Sequence, residues 1–334
     1  MKKIKKNEIR KIKTRKRKMQ NIKNKLKKNF LMNKNYFFFP DINKKSGYGH
    51  FFRSIKYTNY IKEKKTFLIK NELSPNLLKK LKHKNINYIL LKNLKKLPQK
   101  KNILLIDSYQ KIPKKISKFK FYKIISIIDK KPIVNNSDII IDHTFKRKKS
   151  FYNTEIKKDI KCFVGISYFP IDIKKTTKNK YTILINFGGV NDIKLINKSL
   201  KIVSKLECKN ILILSKFYKK TNLKNNFYNK NITIVKYIDD MNFIYSNIKY
   251  SIGAAGISLY EKIFNNIPTI SSLVVGNQIN NYKNFSEKNL LIKFNNAIRM
   301  DQNKLLSKLD NLQKRLYFFN KKIDNKLLQI FHNI

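Results

Sequence analysis

Short runs of apolar residues recur along the chain and are separated by longer amphipathic stretches. Continuous apolar runs are typical of parallel β-strands, because strands that are buried on both faces lack a polar–apolar alternation. The runs form two series on either side of a polar, charged region near residues 146–180. The predicted strands are Tyr36–Phe39, Thr66–Ile69, Asn87–Leu91, Ile103–Asp107, Tyr122–Ile128 and Ile139–Asp142, followed by Tyr181–Phe187, Asn210–Leu214, Ile232–Val235, Tyr250–Ile252 and Thr269–Leu273.

The amphipathic stretches between these runs predict helices. They are Phe51–Lys62, Pro75–Lys84, Lys194–Leu206 and Ser258–Asn265, with one or two more helices in Asp301–Ile334. Alternating strands and helices predict an α/β protein with parallel sheets. Because the polar region separates the two series, we expect an N-terminal domain over residues 34–168 and a C-terminal domain over residues 176–334.

Length and composition agree with two domains. The chain has 334 residues, enough for about two domains of ordinary size, and its hydrophobic fraction of 42% supplies ample core material. Two cysteines are too few for a disulfide framework. No apolar run approaches the ~18 residues that a transmembrane helix needs. We therefore expect a cytoplasmic protein without a transmembrane segment.

The chain is strongly basic, with 76 Lys and Arg against 20 Asp and Glu and a formal net charge of +56. Such a charge suggests nucleic-acid binding. However, only 7 of the basic residues are Arg, whose planar fork is favoured in phosphate and base recognition. Lys, Asn, Ile, Phe and Tyr are abundant together while Trp is absent, which is the pattern of A/T-rich codons. We attribute most of the charge to genome composition and do not expect nucleic acid as a partner.

The first 30 residues contain 15 basic residues and one acidic residue, Glu8. Such a block repels itself and buries little surface, so we expect residues 1–31 to be a disordered basic extension. Met32 is an alternative start, and the extension is then dispensable. The functional alternatives are a weak contact with an anionic surface and an RNA-binding arm.

A glycine-containing loop follows the first predicted strand and leads into the first helix. Gly47 and Gly49 allow tight turns and close approach of a ligand to the backbone, and His50 and Arg53 follow them. This loop lies at the carboxyl end of a strand, where open α/β sheets bind ligands. Histidine titrates near neutral pH, so His50 is a candidate general base. The alternative is a glycine loop with an incidental histidine, since short glycine motifs are weak signals.

Two similar strand-to-helix loops occur in the second series. Small residues there would let a phosphate group approach the free N–H groups of a helix N-terminus. The candidate binding residues are Gly188, Gly189, Gly253, Ala254, Ala255, Gly256 and Ser258. Glu261, farther along the second of these helices, is a candidate acceptor for ribose hydroxyls. Its alternative role is that of a solvated helix residue.

Other candidates also lie at strand ends. The amides Asn277 and Gln278 follow an apolar strand and are suited to a sugar or a phosphate, with incidental surface amides as the alternative. Tyr109 follows the strand that ends at Asp107, so we expect it to face the ligand crevice. Asp129 and Asp142 end strands as well. The other three histidines share no metal-ligand spacing with one another or with the cysteines, so no metal site is predicted.

Together, in order and spacing, these motifs resemble those of the UDP-2,4-diacetamido-2,4,6-trideoxy-β-L-altropyranose hydrolases of pseudaminic acid biosynthesis. The matching segments are Gly47-Tyr-Gly-His50-Phe-Phe-Arg53, Phe187-Gly-Gly, Gly253-Ala-Ala-Gly-Ile-Ser-Leu-Tyr-Glu261 and Gly276-Asn-Gln278. That family is similar in fold to the murein N-acetylglucosaminyltransferase. The resemblance implies a GT-B architecture, in which two Rossmann-like domains face each other across a cleft. The chain departs from the family at Val190, Gly256-Ile257 and Asp129-Lys130.

The resemblance implies a metal-free and cofactor-free reaction in which His50 activates water to attack the anomeric carbon of a UDP-sugar. The products are UDP and a free 6-deoxy diacetamido sugar. The glycine loops would hold the diphosphate and Glu261 the ribose. Asn277 and Gln278 match an amide pair near the sugar and phosphates, and Tyr109 matches a strand-end tyrosine. His50, Tyr109 and Asn277 are therefore the predicted catalytic residues.

Two alternatives remain open. A GT-B glycosyltransferase would share the UDP-binding loops and differ in the acceptor, and the fold alone does not separate transfer from hydrolysis. A non-catalytic protein on the same fold would bind RNA or an anionic surface instead.

Overall fold

The computed structural model describes residues 34–42, 48–129, 136–152, 159–172, 181–189, 192–206, 208–223, 231–238 and 240–334. The predicted basic extension over residues 1–31, the alternative start Met32 and the loop residue Gly47 lie outside these ranges.

The first half of the chain forms a seven-stranded sheet in which every neighbouring pair is parallel. The strands are β1 (Lys34–Pro40), β2 (Lys64–Ile69), β3 (Asn87–Leu90), β4 (Lys101–Asp107), β5 (Lys123–Ile127), β6 (Ile139–Asp142) and β7 (Lys161–Val164). They lie in the order β3-β2-β1-β4-β5-β6-β7. The helices of this half are α1 (Gly49–Tyr57), α2 (Pro75–His83) and the short α3 (Lys114–Ser117).

The sequence of β1 explains why this sheet has a core on each face. All seven of its residues are buried, and successive side chains of a strand point to opposite faces. Tyr36 and Phe38 enter one hydrophobic cluster, whereas Phe37 and Phe39 enter another. A strand with the continuous apolar run Tyr36–Phe39 is therefore placed centrally, between two layers of covering residues.

The second half forms a six-stranded parallel sheet. Its strands are β8 (Tyr181–Asn186), β9 (Asn210–Leu214), β10 (Asn231–Val235), β11 (Ile248–Ala254), β12 (Thr269–Ser272) and β13 (Ile292–Lys293), in the order β10-β9-β8-β11-β12-β13. The helices are α4 (Ile193–Ser204), α5 (Met241–Tyr245), α6 (Ile257–Phe264), α7 (Ile279–Glu287), α8 (Phe294–Arg299) and α9 (Gln302–Lys321). Among the described residues, no helix combines the length and the apolar character needed to cross a membrane.

The last helix, α10 (Leu327–His332), returns to the first half of the chain. Leu327 and Phe331 are buried in the N-terminal core, where the Phe331 ring lies edge-on to Tyr36 and Tyr57 at centroid distances of 6.2 and 6.3 Å. The backbone N–H of Lys326 also donates to the carbonyl of Ser167 over 3.0 Å. By its packing, the end of the predicted C-terminal domain belongs with the N-terminal one.

Every predicted strand is present, and the structure adds two edge strands, β7 and β13. Strand β7 is only partly buried and β13 has two residues, so neither produces a continuous apolar run. The helix predicted over Phe51–Lys62 begins at Gly49 and ends at Tyr57, and a single 3₁₀ turn follows it.

Each sheet has one point at which the strand order reverses. The reversal lies between β1 and β4 in the first sheet and between β8 and β11 in the second. The connections that follow the two strands at this point run in opposite directions along the sheet. They leave a crevice at the carboxyl ends of the strands, where α/β sheets bind ligands. The predicted loops at Gly49 and Gly188 follow β1 and β8, and Gly253 lies at the carboxyl end of β11.

Gly253 is predicted to be essential for the packing of the second sheet. A Cβ at this position would lie 2.2 Å from the carbonyl oxygen of Asn186 on β8 and 2.9 Å from Lys262 Nζ. Gly253→Ala therefore has to separate β11 from β8 and should lower the free energy of unfolding by about 1–3 kcal/mol or more. Denaturant titration measures the change.

The matched control is Gly276→Ala, because a Cβ at Gly276 meets no heavy atom within 4 Å. This change should stay within about 0.5 kcal/mol of the wild type. Equal stability of the two variants would contradict the tight strand contact at Gly253.

Candidate active site

His50 is positioned by the start of α1 at the carboxyl edge of the first sheet. It is the second residue of the helix, directly after Gly49, and it is 6% exposed. Its Nδ1 atom lies 2.6 Å from Oδ1 of Asp107, the last residue of β4. Because β1 and β4 are neighbours at the reversal point, the helix after β1 and the end of β4 bring these two side chains together.

The partners of His50 determine its tautomer. Nη2 of Arg53 lies 2.9 Å from the same Nδ1 atom, but a guanidinium has no acceptor and the carboxylate has no proton to give. We therefore assign the Nδ1 proton to the bond with Asp107. This leaves Nε2 as the ring nitrogen that can accept a proton, with the ring held in orientation by the carboxylate.

Arg53 lies one turn farther along α1 and is almost completely buried, with 2% exposure. It donates from Nε to Oδ2 of Asp107 over 2.8 Å, pairs a second time with Asp107 through Nη2, and donates from Nη1 to Oδ2 of Asp129 over 2.7 Å. One guanidinium thus joins the carboxylates at the ends of β4 and β5. Pairing of this kind offsets the cost of burying a charge.

These ion pairs keep both carboxylates charged. Burial raises the pKa of Asp107, but the charges of Arg53 and His50 outweigh burial and hold it below its usual range. Burial likewise raises the pKa of Asp129, and Arg53 again lowers it, with a net decrease. Asp107 therefore stays ionised beside His50 and can stabilise a protonated imidazole.

Tyr109 and His143 surround this cluster. The Tyr109 hydroxyl donates to Oδ1 of Asp129 over 2.7 Å, and its ring lies edge-on to His50 at a centroid distance of 4.5 Å. His143 Nε2 lies 3.5 Å from Arg53 Nη1. Burial, reinforced by the Arg53 charge, lowers the pKa of His143 to about 4, so this second histidine is neutral at physiological pH.

The facing edge of the second sheet carries the predicted phosphate loops. Gly188, two residues after β8, has φ of +86°, a backbone conformation that residues other than glycine rarely adopt. Gly256 precedes the first turn of α6, and its Cβ position lies 3.4 Å from Nε2 of Gln278. The 3₁₀ turn over Gly276–Gln278 is therefore next to the loop Gly253–Gly256, and Asn277 is exposed there.

Glu261 and Ser258 lie on α6, behind this loop. Glu261 is not the solvated helix residue of the alternative interpretation, because its side chain is 10% exposed and is paired with Nζ of Lys56 at 2.6 Å. The Tyr245 hydroxyl donates to its other oxygen over 2.8 Å. Since Lys56 belongs to α1, this ion pair connects the helix that carries His50 with the second sheet.

Aromatic residues complete the contact between the two halves. The rings of His143 and Tyr260 are 5.4 Å apart, and the Tyr260 hydroxyl accepts a hydrogen bond from the Phe145 backbone over 3.2 Å. Tyr48, which precedes α1, has Nζ of Lys216 5.2 Å from the centre of its ring. The loop before α1 thus contacts the residues after β9, and the residues after β6 contact α6.

The sequence did not assign the partners of His50. From the sequence, Asp107 and Asp129 are predicted only to end strands. The spacing of His143 to the other histidines and the cysteines predicts no metal site. The available signal was the shared position at the carboxyl ends of adjacent strands, which predicts that side chains meet. Within the described ranges, no three His, Cys, Asp or Glu side chains are grouped as metal ligands.

Comparison with known proteins rests on structure. No family model matches the chain, and no curated protein matches its sequence. MurG of Acinetobacter baumannii is 13% identical, with a TM-score of 0.56, over 90% of this chain and 98% of that one. UGT89C1 of Arabidopsis thaliana is 9% identical, with a TM-score of 0.64, over 90% and 98%.

A further similar structure is UGT2 of Phytolacca americana, solved in complex with UDP-2-fluoro-glucose and pterostilbene. It is 10% identical, with a TM-score of 0.62, over 90% of this chain and 99% of that one. These neighbours are glycosyltransferases built from two facing Rossmann-like domains. The chain has the GT-B fold. The predicted architecture is thereby confirmed, whereas the specific hydrolase family is not.

Because His143 is neutral in the folded protein, the free energy of unfolding should depend on pH. Its pKa is about 4 in the folded protein and about 6.5 in an unfolded chain, so the unfolded state binds more protons between these values. The contribution of His143 to stability is therefore complete above about pH 6.5 and is lost as the pH falls toward 4, by about 3 kcal/mol in all.

His143→Phe, which keeps an aromatic ring edge-on to Phe169 and Tyr260, should remove this contribution to the acid sensitivity. The measurement is denaturant unfolding of both proteins at pH 7.5 and pH 4.5. An unchanged pH dependence in the variant would show that His143 is not the group that titrates.

Proposed function

We propose that the protein is a glycosyltransferase that uses a UDP-sugar as donor and His50 as the general base. The observation that carries this proposal is the buried His50–Asp107 pair, which orients Nε2 at the carboxyl edge of the first sheet. The fold supports it, because the similar structures are glycosyltransferases. The acceptor is an oxygen nucleophile bound beside His50.

The reaction follows from the geometry of the His50 cluster. Nε2 of His50 takes the proton of an acceptor hydroxyl while the oxygen attacks the anomeric carbon of the donor. The bond between that carbon and the diphosphate oxygen breaks, and UDP leaves with the electron pair. Asp107, kept ionised by Arg53, stabilises the imidazolium that forms. Attack from the side opposite UDP inverts the anomeric configuration.

We propose that the donor binds to the second sheet. The helix N-terminus after Gly256 offers unpaired N–H groups, and the positive end of its dipole favours the negative charge of the diphosphate. Gly188 and Gly189 form the adjacent loop, and the amides Asn277 and Gln278 are assigned to the sugar and the phosphates. UDP is a good leaving group, so these dipoles suffice without a strong acid.

Hydrolysis is the second candidate, with water in place of the acceptor hydroxyl. It is favoured by the resemblance of the four loop motifs to the UDP-sugar hydrolases of pseudaminic acid biosynthesis, in which the product is a free diacetamido sugar. The same base and the same donor loops serve both reactions, so the acceptor alone distinguishes them.

A panel of UDP-sugars distinguishes these functions. The full chain is incubated with each donor in water alone and then with a mixture of sugar and lipid-linked acceptors, and UDP release is measured. Transfer predicts UDP release that depends on an acceptor. Release at full rate in water alone identifies a hydrolase, and no UDP binding or release with any donor contradicts both proposals.

His50→Gln should lower kcat by about 10²–10⁴-fold, because a positioned base contributes that much. The affinity for UDP should change little, since the diphosphate is assigned to the other sheet. The matched control is His83→Gln on the exposed side of α2, which should leave kcat unchanged. A His50→Gln variant with wild-type kcat would show that another group is the base.

Glu261→Gln tests whether Glu261 binds the ribose of the donor. A hydrogen bond from a ribose hydroxyl to a carboxylate is worth about 1.5–3 kcal/mol, so UDP affinity should fall by roughly 10- to 100-fold. A dideoxy analogue of UDP should bind both proteins equally.

The control for Glu261→Gln is Glu287→Gln. Glu287 pairs with Lys146 at 2.7 Å and also connects the two halves of the chain, yet it is not assigned to the donor. Its variant should bind UDP like the wild type. Equal losses for UDP and for the dideoxy analogue in Glu261→Gln would indicate damage to the domain contact instead.

A further inference from the structure

Lys262 is a buried lysine on α6 whose charge is not used by the reaction proposed above. It is 0% exposed, and no described residue forms a hydrogen bond with its Nζ atom. Its neighbour Glu261 is paired with Lys56. An ammonium without a partner is expensive to bury, so its retention calls for a physical reason.

The position of Nζ suggests that reason. The Cβ that an alanine would place at Gly253 lies 2.9 Å from Lys262 Nζ and 2.2 Å from the carbonyl oxygen of Asn186. The ammonium is therefore beside the main chain at the carboxyl ends of β8 and β11. These are the strands that lead into the loops at Gly188 and at Gly253–Gly256, which flank the reversal point of the sheet.

Two further buried polar atoms lie on the same face of the sheet. Ser271 is directly opposite Gly253 in the register of β12, and paired residues present their side chains on one face. Ser251 precedes Gly253 by two residues on β11, which places it on that face as well. No described residue forms a hydrogen bond with the hydroxyl of either serine, so two unpaired polar atoms lie on this face beside the apolar Leu184, which is opposite Ser251 on β8.

The ammonium is charged at neutral pH. Burial lowers the pKa of Lys262 to about 8, against an opposing effect of Glu261, and this value still leaves the protonated form dominant at pH 7. The ligand-free protein thus holds a positive charge under the loop, with no anion beside it among the described residues other than the shared carboxylate of Glu261.

We infer that Lys262 is a positioning residue of the donor site, whose buried ammonium attracts the diphosphate through the floor formed by Gly253. This inference rests on the proposed function and names the group that selects a charged donor. Because Lys262 is 0% exposed, its attraction is screened less than that of a surface lysine. Its strength should grow with the negative charge of the ligand.

The test compares uridine, UMP and UDP by titration calorimetry of the full chain. In Lys262→Met, which keeps a long unbranched side chain without the charge, UDP affinity should fall by about tenfold or more. UMP affinity should fall less, and uridine affinity should stay within about twofold of the wild type. A purely structural role would not produce this dependence on ligand charge.

The matched control is Lys249→Met, because Lys249 is an exposed lysine on β11. This variant should bind all three ligands like the wild type. Thermal unfolding reports whether Lys262→Met is folded, and Lys262→Gln, which is also neutral, replaces it if it is not.

Unchanged UDP affinity in the folded neutral variant, or an equal loss for all three ligands, overturns the role of Lys262. A wild-type protein that binds uridine and UDP equally overturns it as well. If the wild type binds none of the three ligands, the proposed function fails, and this outcome is recognised before any variant is made.

Discussion

The ion pairs of Arg53 hold the first half of the candidate site together. Its guanidinium, on α1, binds the carboxylates at the ends of β4 and β5. Arg53 and Asp107 are removed from bulk water, and Asp129 is partly buried. Breaking such a buried pair leaves an uncompensated charge and is strongly destabilising. The relative positions of α1, β4 and β5 therefore depend on this contact, and with them the position of His50. The charge state of Asp107 depends on it too, because Arg53 offsets the effect of burial on the pKa of that carboxyl.

The second half of the candidate site follows a different physical principle. Its loops use main-chain groups and glycines in place of buried carboxylates: Gly188 has a positive φ, and Gly253 leaves no room for a Cβ. Helix α6 begins directly after Gly256. One sheet thus presents a proton acceptor held by charges, and the other presents backbone donors suited to an anion. A reaction between an oxygen nucleophile and a nucleotide-linked sugar needs both.

The contacts between the halves show how these two edges come to face each other. The Lys56–Glu261 pair joins α1 to α6, the aromatic contact of His143 with Tyr260 joins the end of β6 to α6, and α10 returns to pack against the N-terminal core. Because α1 carries His50 and α6 follows the loop Gly253–Gly256, the contacts that join the halves are made by the same helices that position the candidate site. A change in the approach of the two sheets would therefore alter both edges together.

The sequence by itself determined the inner strands, the parallel sheets and the glycine loops at the strand ends. Buried parallel strands such as β1 contain continuous apolar runs, and glycines mark the turns after them, so both signals are local and can be read along the chain. Two features left no such signal. The edge strands β7 and β13 are too short or too exposed for an apolar run, and α10 joins a core that is formed almost entirely by residues far from it in sequence. Only the tertiary structure decided that Arg53 joins Asp107 to Asp129, that Glu261 meets Lys56, and that Lys262 is buried without a partner. Each of these contacts depends on the strand order within a sheet and on how the two sheets pack together. The spacing of residues along the chain encodes neither of these.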